Sequence, residues 1–224
     1  MDFTIDDLMR NSFVLARDKK EYGVFSSRLR RAGFDHLPRP YIGGYPKVLF
    51  KGGPVSLIHF VLVHMARMLD YDHITIFEAD AYPMIDCRNR LEEFFADGGI
   101  PDDADEIVLG NLHFIRDWTN KGGDKCLVDV DEKQRFGRIR HDLWGSHAVV
   151  VFKRGYDTWI NNYLKQENPI NSDFFNWLTP NCYATARSFF IQAWDCLSYP
   201  DLLCDKEWLN DFPEIGKSDL PVAL

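Results

Sequence analysis

Two carboxylates one residue apart, Glu78 and Asp80, close the apolar run Ile74-Thr75-Ile76-Phe77, and Pro83 follows shortly after. A run of β-branched and aromatic residues reads as a buried strand, and the proline predicts its end. In open α/β sheets, ligands bind just past the carboxyl ends of the strands. Two acids placed there suit a hard divalent cation that carries a substrate's phosphates. The ordinary alternative is that Glu78 and Asp80 only cap the turn. Gly145-Ser146-His147 leads into a second strongly apolar strand, Ala148 to Phe152. Ser56 and His59 lie three apart on a helix that starts at Pro54, so they share one face; a lone histidine on a helix is more often structural than a ligand. Gly52-Gly53 permits close approach of a ligand to the backbone, or simply makes two turns. Ser172 or Asp173 precedes a helical segment, Phe174 to Leu178; a role only as its N-cap stands evenly against a chemical one.

These residues need a scaffold, and the chain reads as strands alternating with helices. Ser12 to Ala16 is a first strand, followed by a charged loop, Arg17 to Lys20. Glu21 to Ala32 has helix formers with Tyr22, Phe25 and Leu29 at helical spacing, and Gly33 is a C-cap candidate. Phe34 to Pro54 is a Pro- and Gly-rich loop with room for a short strand at Val48 to Phe50. The helix from Pro54 carries an apolar stripe of Ile58, Val61, Leu62, Met65, Met68 and Leu69. Asp86 to Phe95 reads as a helix and Ile107 to Gly110 as a strand. Asn111 to Arg140 is polar and irregular, either a lid or a plain insertion. Tyr156 to Leu164 reads as a helix, and Tyr183-Ala184 and Phe189 to Ile191 as late strands. A strand–helix opening of this kind predicts an α/β fold.

The 224-residue chain is 46% hydrophobic and 27% charged, a globular composition with enough length for a sizeable core. Its net charge of -8 argues against broad binding to nucleic acid or anionic membranes. A local aromatic and basic patch at Trp159, Tyr163 and Lys165 would still permit membrane contact. The five cysteines form no C-x-x-C pair and no zinc-ligand spacing, which suits reduced thiols in a cytoplasmic protein. The acidic stretch Met1 to Arg10 has no apolar core of signal-peptide length, and no apolar run approaches a membrane span.

Taken in order, several runs resemble the family 25 glycosyltransferases, which include lipopolysaccharide-biosynthesis enzymes. The runs are Phe13 to Asp18, the Gly-led Ser-His helix Gly53 to His59, the acidic strand end Phe77 to Pro83, the strand Gly145 to Val150, and Pro169-Ile170-Asn171. The resemblance spans roughly Phe13 to Phe175. It implies a single GT-A-type domain, an α/β nucleotide-binding sandwich whose central sheet is mostly parallel and flanked by helices. Residues 12–110 would form the donor nucleotide and metal half, and residues 111–224 the acceptor half and C-terminal tail. It further implies a nucleotide-sugar donor, UDP-linked, with Mn²⁺ or Mg²⁺ and a glycan or lipid-linked acceptor. Asp80 would then ligate the metal, with Glu78 on the donor ribose or the metal's water shell and His147 a further metal or diphosphate ligand. Arg17, Gly53, Ser56 and His59 would line the donor, although a surface salt bridge is the plain alternative for Arg17. The family's inversion needs a carboxylate base near the acceptor hydroxyl, and Asp173 is the candidate.

Two departures stand out. The middle acid of the family's triplet is Ala79, and its Pro-x-Asp is Pro-Ile-Asn, with Asp173 two positions on. Either Asp173 takes over that role, or the acceptor side has diverged or lost activity. Two rival readings follow: another metal-dependent transferase using a nucleotide, or a degenerate, non-catalytic binding module. Against the first, neither G-x-x-x-x-G-K-[ST] nor G-x-G-x-x-G occurs.

Overall fold

A computed structural model describes residues 2–43, 53–110, 127–129, 132–133, 135–139, 145, 147–165, 179–185 and 188–192. The chain opens with a short helix, α1 (Ile5–Arg10), held by a reciprocal cap in which Thr4 and Asp7 each bond the other's backbone N–H. Strand β1 (Ser12–Ala16) leads into α2 (Lys19–Arg31), whose N-cap Asp18 accepts the backbone N–H of Glu21. There follow β2 (Arg39–Ile42), α3 (Gly53–Met68), β3 (His73–Glu78), β4 (Ala81–Pro83), α4 (Cys87–Ala96) and β5 (Glu106–Gly110). Beyond these lie β6 (Leu127–Val128), β7 (Phe136–Ile139), β8 (Ala148–Phe152), α5 (Tyr156–Leu164), β9 (Cys182–Thr185) and β10 (Phe190–Gln192).

Eight of these strands form one sheet in the order β2-β1-β3-β8-β5-β9-β7-β6. The pairs β1/β2, β1/β3 and β5/β9 are parallel, whereas β8 and β7 run against their neighbours. Six of the eight therefore point the same way. This is the α/β sandwich with a mostly parallel sheet that the resemblance implies. Strand β8 lies between β3 and β5, so strands from the two halves of the chain share one sheet. Strands buried on both faces read as continuous apolar runs, which is why β3, β5 and β8 were legible.

Helices cover both faces. Leu8 and Met9 of α1, Phe25 and Leu29 of α2, and Leu91, Phe94 and Phe95 of α4 pack with Val14, Phe77, Ile107 and Val150 on one side. Ile58, Leu62 and Ala66 of α3 and Tyr156, Trp159 and Ile160 of α5 pack with Leu15, Ile74, Ile76 and Val149 on the other. The two helices of that side meet through stacked rings, Phe60 on Tyr163 at 4.7 Å and Tyr163 on Trp159 at 5.5 Å.

The structure corrects several expectations. Val61, Met68 and Leu69 are exposed, while Ser56 and His59 are buried. Helix α3 is apolar around most of its surface, so apolar spacing alone did not identify the face turned to the sheet. The strand at the acidic run stops at Glu78, before the proline, and Ala81–Pro83 starts a separate antiparallel ribbon with β10. The loop strand is Arg39–Ile42. Val48 to Phe50 lies outside the described residues, as do Phe174 to Leu178 and the tail from Pro200. The polar stretch Asn111 to Arg140 contains the edge pair β6/β7, whose half-exposed residues mix Arg138 with Phe136 and hide the strand period. Among the described residues no helix is long and apolar enough to cross a membrane.

One buried acid bears on stability. Glu106 is fully buried at the start of β5, opposite Cys182 of β9 and Val151 of β8. The Thr179 hydroxyl reaches Oε2 only at 3.5 Å, and the Cys182 thiol, a weak donor, is the carboxyl's other hydrogen-bond partner. Burial pushes its pKa from 4.5 up to about 8. Between those values the folded protein keeps a proton that the unfolded chain releases. Stability therefore falls as pH rises through that window, by about 1.4 kcal/mol per pH unit at most. Glu106→Gln is neutral at every pH and should gain on the wild type steadily from about pH 5 to about pH 8 in urea unfolding. A constant difference across that range would mean that Glu106 ionises normally.

Candidate functional site

The order of the sheet locates the candidate site. From β1 the chain crosses by α2, on one face, to β2 at the sheet edge. From β2 it returns by α3, on the other face, to β3 on the far side of β1. The connections thus diverge between β1 and β3, and ligands of open α/β sheets bind outside the carboxyl ends of the strands at such a point. The carboxyl end of β1 carries Arg17, and that of β3 carries Glu78 and Asp80.

The acidic turn is clamped by its main chain. Glu78 N–H donates to the His147 carbonyl at 3.0 Å, and Ala79 N–H to the Leu15 carbonyl at 3.0 Å. Arg28 Nη1 donates to the Ala79 carbonyl at 3.2 Å. The side chain of Ala79 is buried in the core that contains Phe77 and Val14. A carboxylate at position 79 would sit among apolar side chains at a heavy desolvation cost. Alanine there removes no acid from the end of the sheet.

Asp80 follows the clamp. Its Oδ2 accepts Gln192 Nε2 from β10 at 3.0 Å, and β4/β10 pairing sets Gln192 opposite Ala81. Its Oδ1 is buried and has no hydrogen-bond partner. Burial raises the Asp80 pKa; the Gln192 bond opposes this, the negative charge of Glu21 adds to it, and a weak bond from Asp80's own backbone N–H and the Arg28 guanidinium oppose it. A buried carboxylate oxygen without a donor suits a hard cation, and Mg²⁺-type sites commonly use one or two carboxylates plus substrate phosphates. Among the described residues no three His, Cys, Asp or Glu side chains form a cage for a metal ion.

The other candidate residues fall around this turn in different ways. Glu78 Oε1 stands 3.7 Å from His59 Nε2, longer than a hydrogen bond. Burial lowers the His59 pKa to about 3, so a neutral imidazole faces the carboxylate and the contact is not an ion pair at neutral pH. Ser56 is buried and hydrogen-bonds to the Tyr163 hydroxyl of α5. Gly53 opens α3. Arg17 takes the surface salt bridge anticipated as its plain alternative: Nε and Nη2 each lie 2.9 Å from Glu21 Oε1. Glu21 Oε2 also accepts the Arg17 backbone N–H at 2.5 Å.

His147 reaches the site through its main chain, as the acceptor for Glu78. Its ring donates Nε2–H to the Phe190 carbonyl at 2.9 Å and is fully buried. Burial lowers its pKa to about 4, the carbonyl bond opposing. The ring occupies space that Gly110 leaves open, since a Cβ at Gly110 would lie 2.6 Å from Cδ2 of the imidazole. Its Nδ1 has no hydrogen-bond partner. Asp173, Ser146 and Asn171 lie outside the described residues.

Three residues at the turn were not found from sequence. Glu21 had a signal, since it lies three residues after the helix-capping Asp18. Arg28 and Gln192 had none: an arginine inside a helix and a glutamine ending a three-residue strand are ordinary in sequence.

No protein-family model and no curated protein matches the sequence. Among solved structures, A197 from STIV has a TM-score of 0.42 at 15% identity, over 80% of this chain and 81% of that one. HddC from Yersinia pseudotuberculosis has a TM-score of 0.39 at 13% identity, over 89% and 80% of the two chains. HddC complexed with GMP-PN has a TM-score of 0.39 at 12% identity, over 88% and 98%.

The half-satisfied carboxyl of Asp80 generates a prediction. Its folded pKa lies above the ordinary 3.8, so ionising it costs stability as pH rises beyond that value. Asp80→Asn keeps an acceptor for Gln192 and removes the buried charge. In the metal-free protein the variant should melt higher at neutral pH, by roughly 2–4 °C for each kcal/mol relieved. The gain should vanish well below the ordinary carboxylate pKa. Calorimetric melts at several pH values check this, and a lower melting temperature at neutral pH would contradict it.

Proposed function

We propose that the protein is a metal-dependent glycosyltransferase that moves a sugar from a nucleotide-sugar donor, UDP-linked, to a glycan or lipid-linked saccharide acceptor with inversion. The observation that carries this reading is the placement of Asp80, with one buried oxygen unpartnered, at the point where the connections from β1 and β3 diverge. Asp80 would hold Mn²⁺ or Mg²⁺ through Oδ1, with Glu78 as second acid or as the acceptor of a donor ribose hydroxyl. A bound divalent ion neutralises the charge that develops on a leaving nucleoside diphosphate. The Gln192 bond holds the Asp80 carboxyl in one orientation, and the main-chain clamp keeps it from following the ligand.

Arg17 at the end of β1, Glu21 in the first turn of α2 and Gly53 at the start of α3 would flank the donor, with the buried Ser56 and His59 supporting the α3 side from beneath. The neutral, buried imidazole of His59 adds no positive charge beside Glu78. His147 supports the turn from behind. Asp173 keeps the role of base for the acceptor hydroxyl, the one step that needs a carboxylate beyond Glu78 and Asp80.

Isothermal calorimetry with UDP, with and without Mn²⁺, tests the donor site. Binding should require Mn²⁺ in the wild type and be lost in Asp80→Ala. No UDP binding under any metal condition would overturn the reading. In turnover, release of nucleoside diphosphate is expected, whereas release of pyrophosphate would mark a nucleotidyltransferase. Asp173→Asn should lower kcat by at least about a hundredfold, the scale of general-base catalysis, while leaving UDP affinity unchanged.

A further inference from the structure

The β4/β10 ribbon that carries Gln192 is a sheet of its own, so it needs an anchor to the strands around the acidic turn. That anchor is built at the end of β5. The register of β5 against β8 shifts between Val108 and Gly110, a bulge that leaves Leu109 out of the pairing with both β8 and β9. Bulges locally disrupt a ladder and re-aim the groups within it. Here the Leu109 carbonyl accepts the Phe189 N–H, just before β10, at 2.8 Å. The next residue, Gly110, leaves room for the imidazole of His147. A Cβ at Gly110 would lie 2.6 Å from Cδ2 and 2.8 Å from Nε2 of that ring.

The ring makes the second attachment. His147 Nε2 lies 2.9 Å from the Phe190 carbonyl. A carbonyl only accepts, so Nε2 carries the proton and Nδ1 does not. Phe190 pairs with Pro83 and Gln192 with Ala81, so pinning Phe190 sets where Gln192 stands. Gln192 in turn donates to Asp80 Oδ2 at 3.0 Å. The main chain of the same histidine serves the other acid, since its carbonyl accepts the Glu78 N–H at 3.0 Å. A buried histidine can serve as core packing alone. A leucine would fill the same space, however, and would leave the Phe190 carbonyl without this donor.

We infer that His147 is a positioning residue for both acids of the turn: its imidazole, seated beside Gly110, fixes β10 and so aims Gln192 at Asp80, while its carbonyl fixes Glu78. The ring acts through Phe190 and Gln192 rather than on a substrate. Its bearing on activity rests on Asp80 being the metal-binding carboxylate, whereas the geometry itself needs neither metal nor nucleotide.

NMR of the metal-free full chain tests the geometry first. In the wild type, His147 should carry its proton on Nε2, and the Gln192 side-chain amide, assigned with Gln192→Leu, should exchange slowly with solvent. A proton on Nδ1, or a Gln192 amide that exchanges as fast as an exposed one, would overturn the inference without any variant having to fold. His147→Leu removes the donor, and Gly110→Ala displaces the ring while keeping it. Each should speed Gln192 amide exchange at least about tenfold. Calorimetric affinity for UDP with Mn²⁺ should fall at least about tenfold in both variants and in Gln192→Leu, the scale of one hydrogen bond to a charged group. The double variant His147→Leu/Gln192→Leu should bind no more weakly than the weaker single variant, because both changes act through one contact. A histidine that only fills space predicts unchanged Gln192 exchange and additive losses of affinity, and either result would overturn the inference. If the wild type binds no UDP, the donor reading fails while the exchange measurements still decide the role of His147.

Discussion

The carboxyl of Asp80 is held half-satisfied, and much of the surrounding structure exists to keep it so. One oxygen takes a hydrogen bond from Gln192, and the other is buried without a donor. Left alone, such a group would be expected to turn toward water or to recruit a second donor. It does neither because the turn before it is pinned at three backbone atoms by Leu15, His147 and Arg28. Those three residues come from β1, the approach to β8, and α2, so the position of one carboxylate depends on the sheet and on one of its helical layers.

The central strands of the sheet are buried on both faces. Phe77 packs against Phe25 and Phe190, joining α2 and β10 to the strand that ends in Glu78. The short β4/β10 ribbon then brings Gln192 opposite Ala81. On the other face, α3 and α5 lock through Phe60, Tyr163 and Trp159, and this stack keeps His59 beside Glu78. The two apolar cores thus hold the acidic turn from both faces of the sheet.

The long apolar strands and the amphipathic helices were legible in the sequence because their periods are strong and their ends are marked. Ser12 to Ala16 and Tyr156 to Leu164 were read with the bounds they have. The acidic turn stood out in the sequence because two acids close an apolar run just before a proline. The partners of that turn were not. Gln192 acts through strand pairing between residues more than a hundred positions apart, and Arg28 reaches from inside a helix to a carbonyl; neither leaves a local pattern. The burial of Ser56 and His59 was missed because α3 offers apolar residues on several faces, and only the stack with α5 decides among them. The meaning of Ala79 also needed the fold: the resemblance reads an alanine where it expects an acid, whereas the structure shows that position facing the core.

The most direct measurement is a ¹³C NMR titration of the Asp80 carboxyl, assigned with Asp80→Asn, in the metal-free protein and again with Mg²⁺ and UDP. The expected midpoint lies above the ordinary carboxylate value without metal and falls below it when Mg²⁺ and UDP are present, because the cation replaces the proton at Oδ1. A midpoint that starts raised and does not move when Mg²⁺ and UDP are added would contradict the assignment of Asp80 as the metal-binding carboxylate.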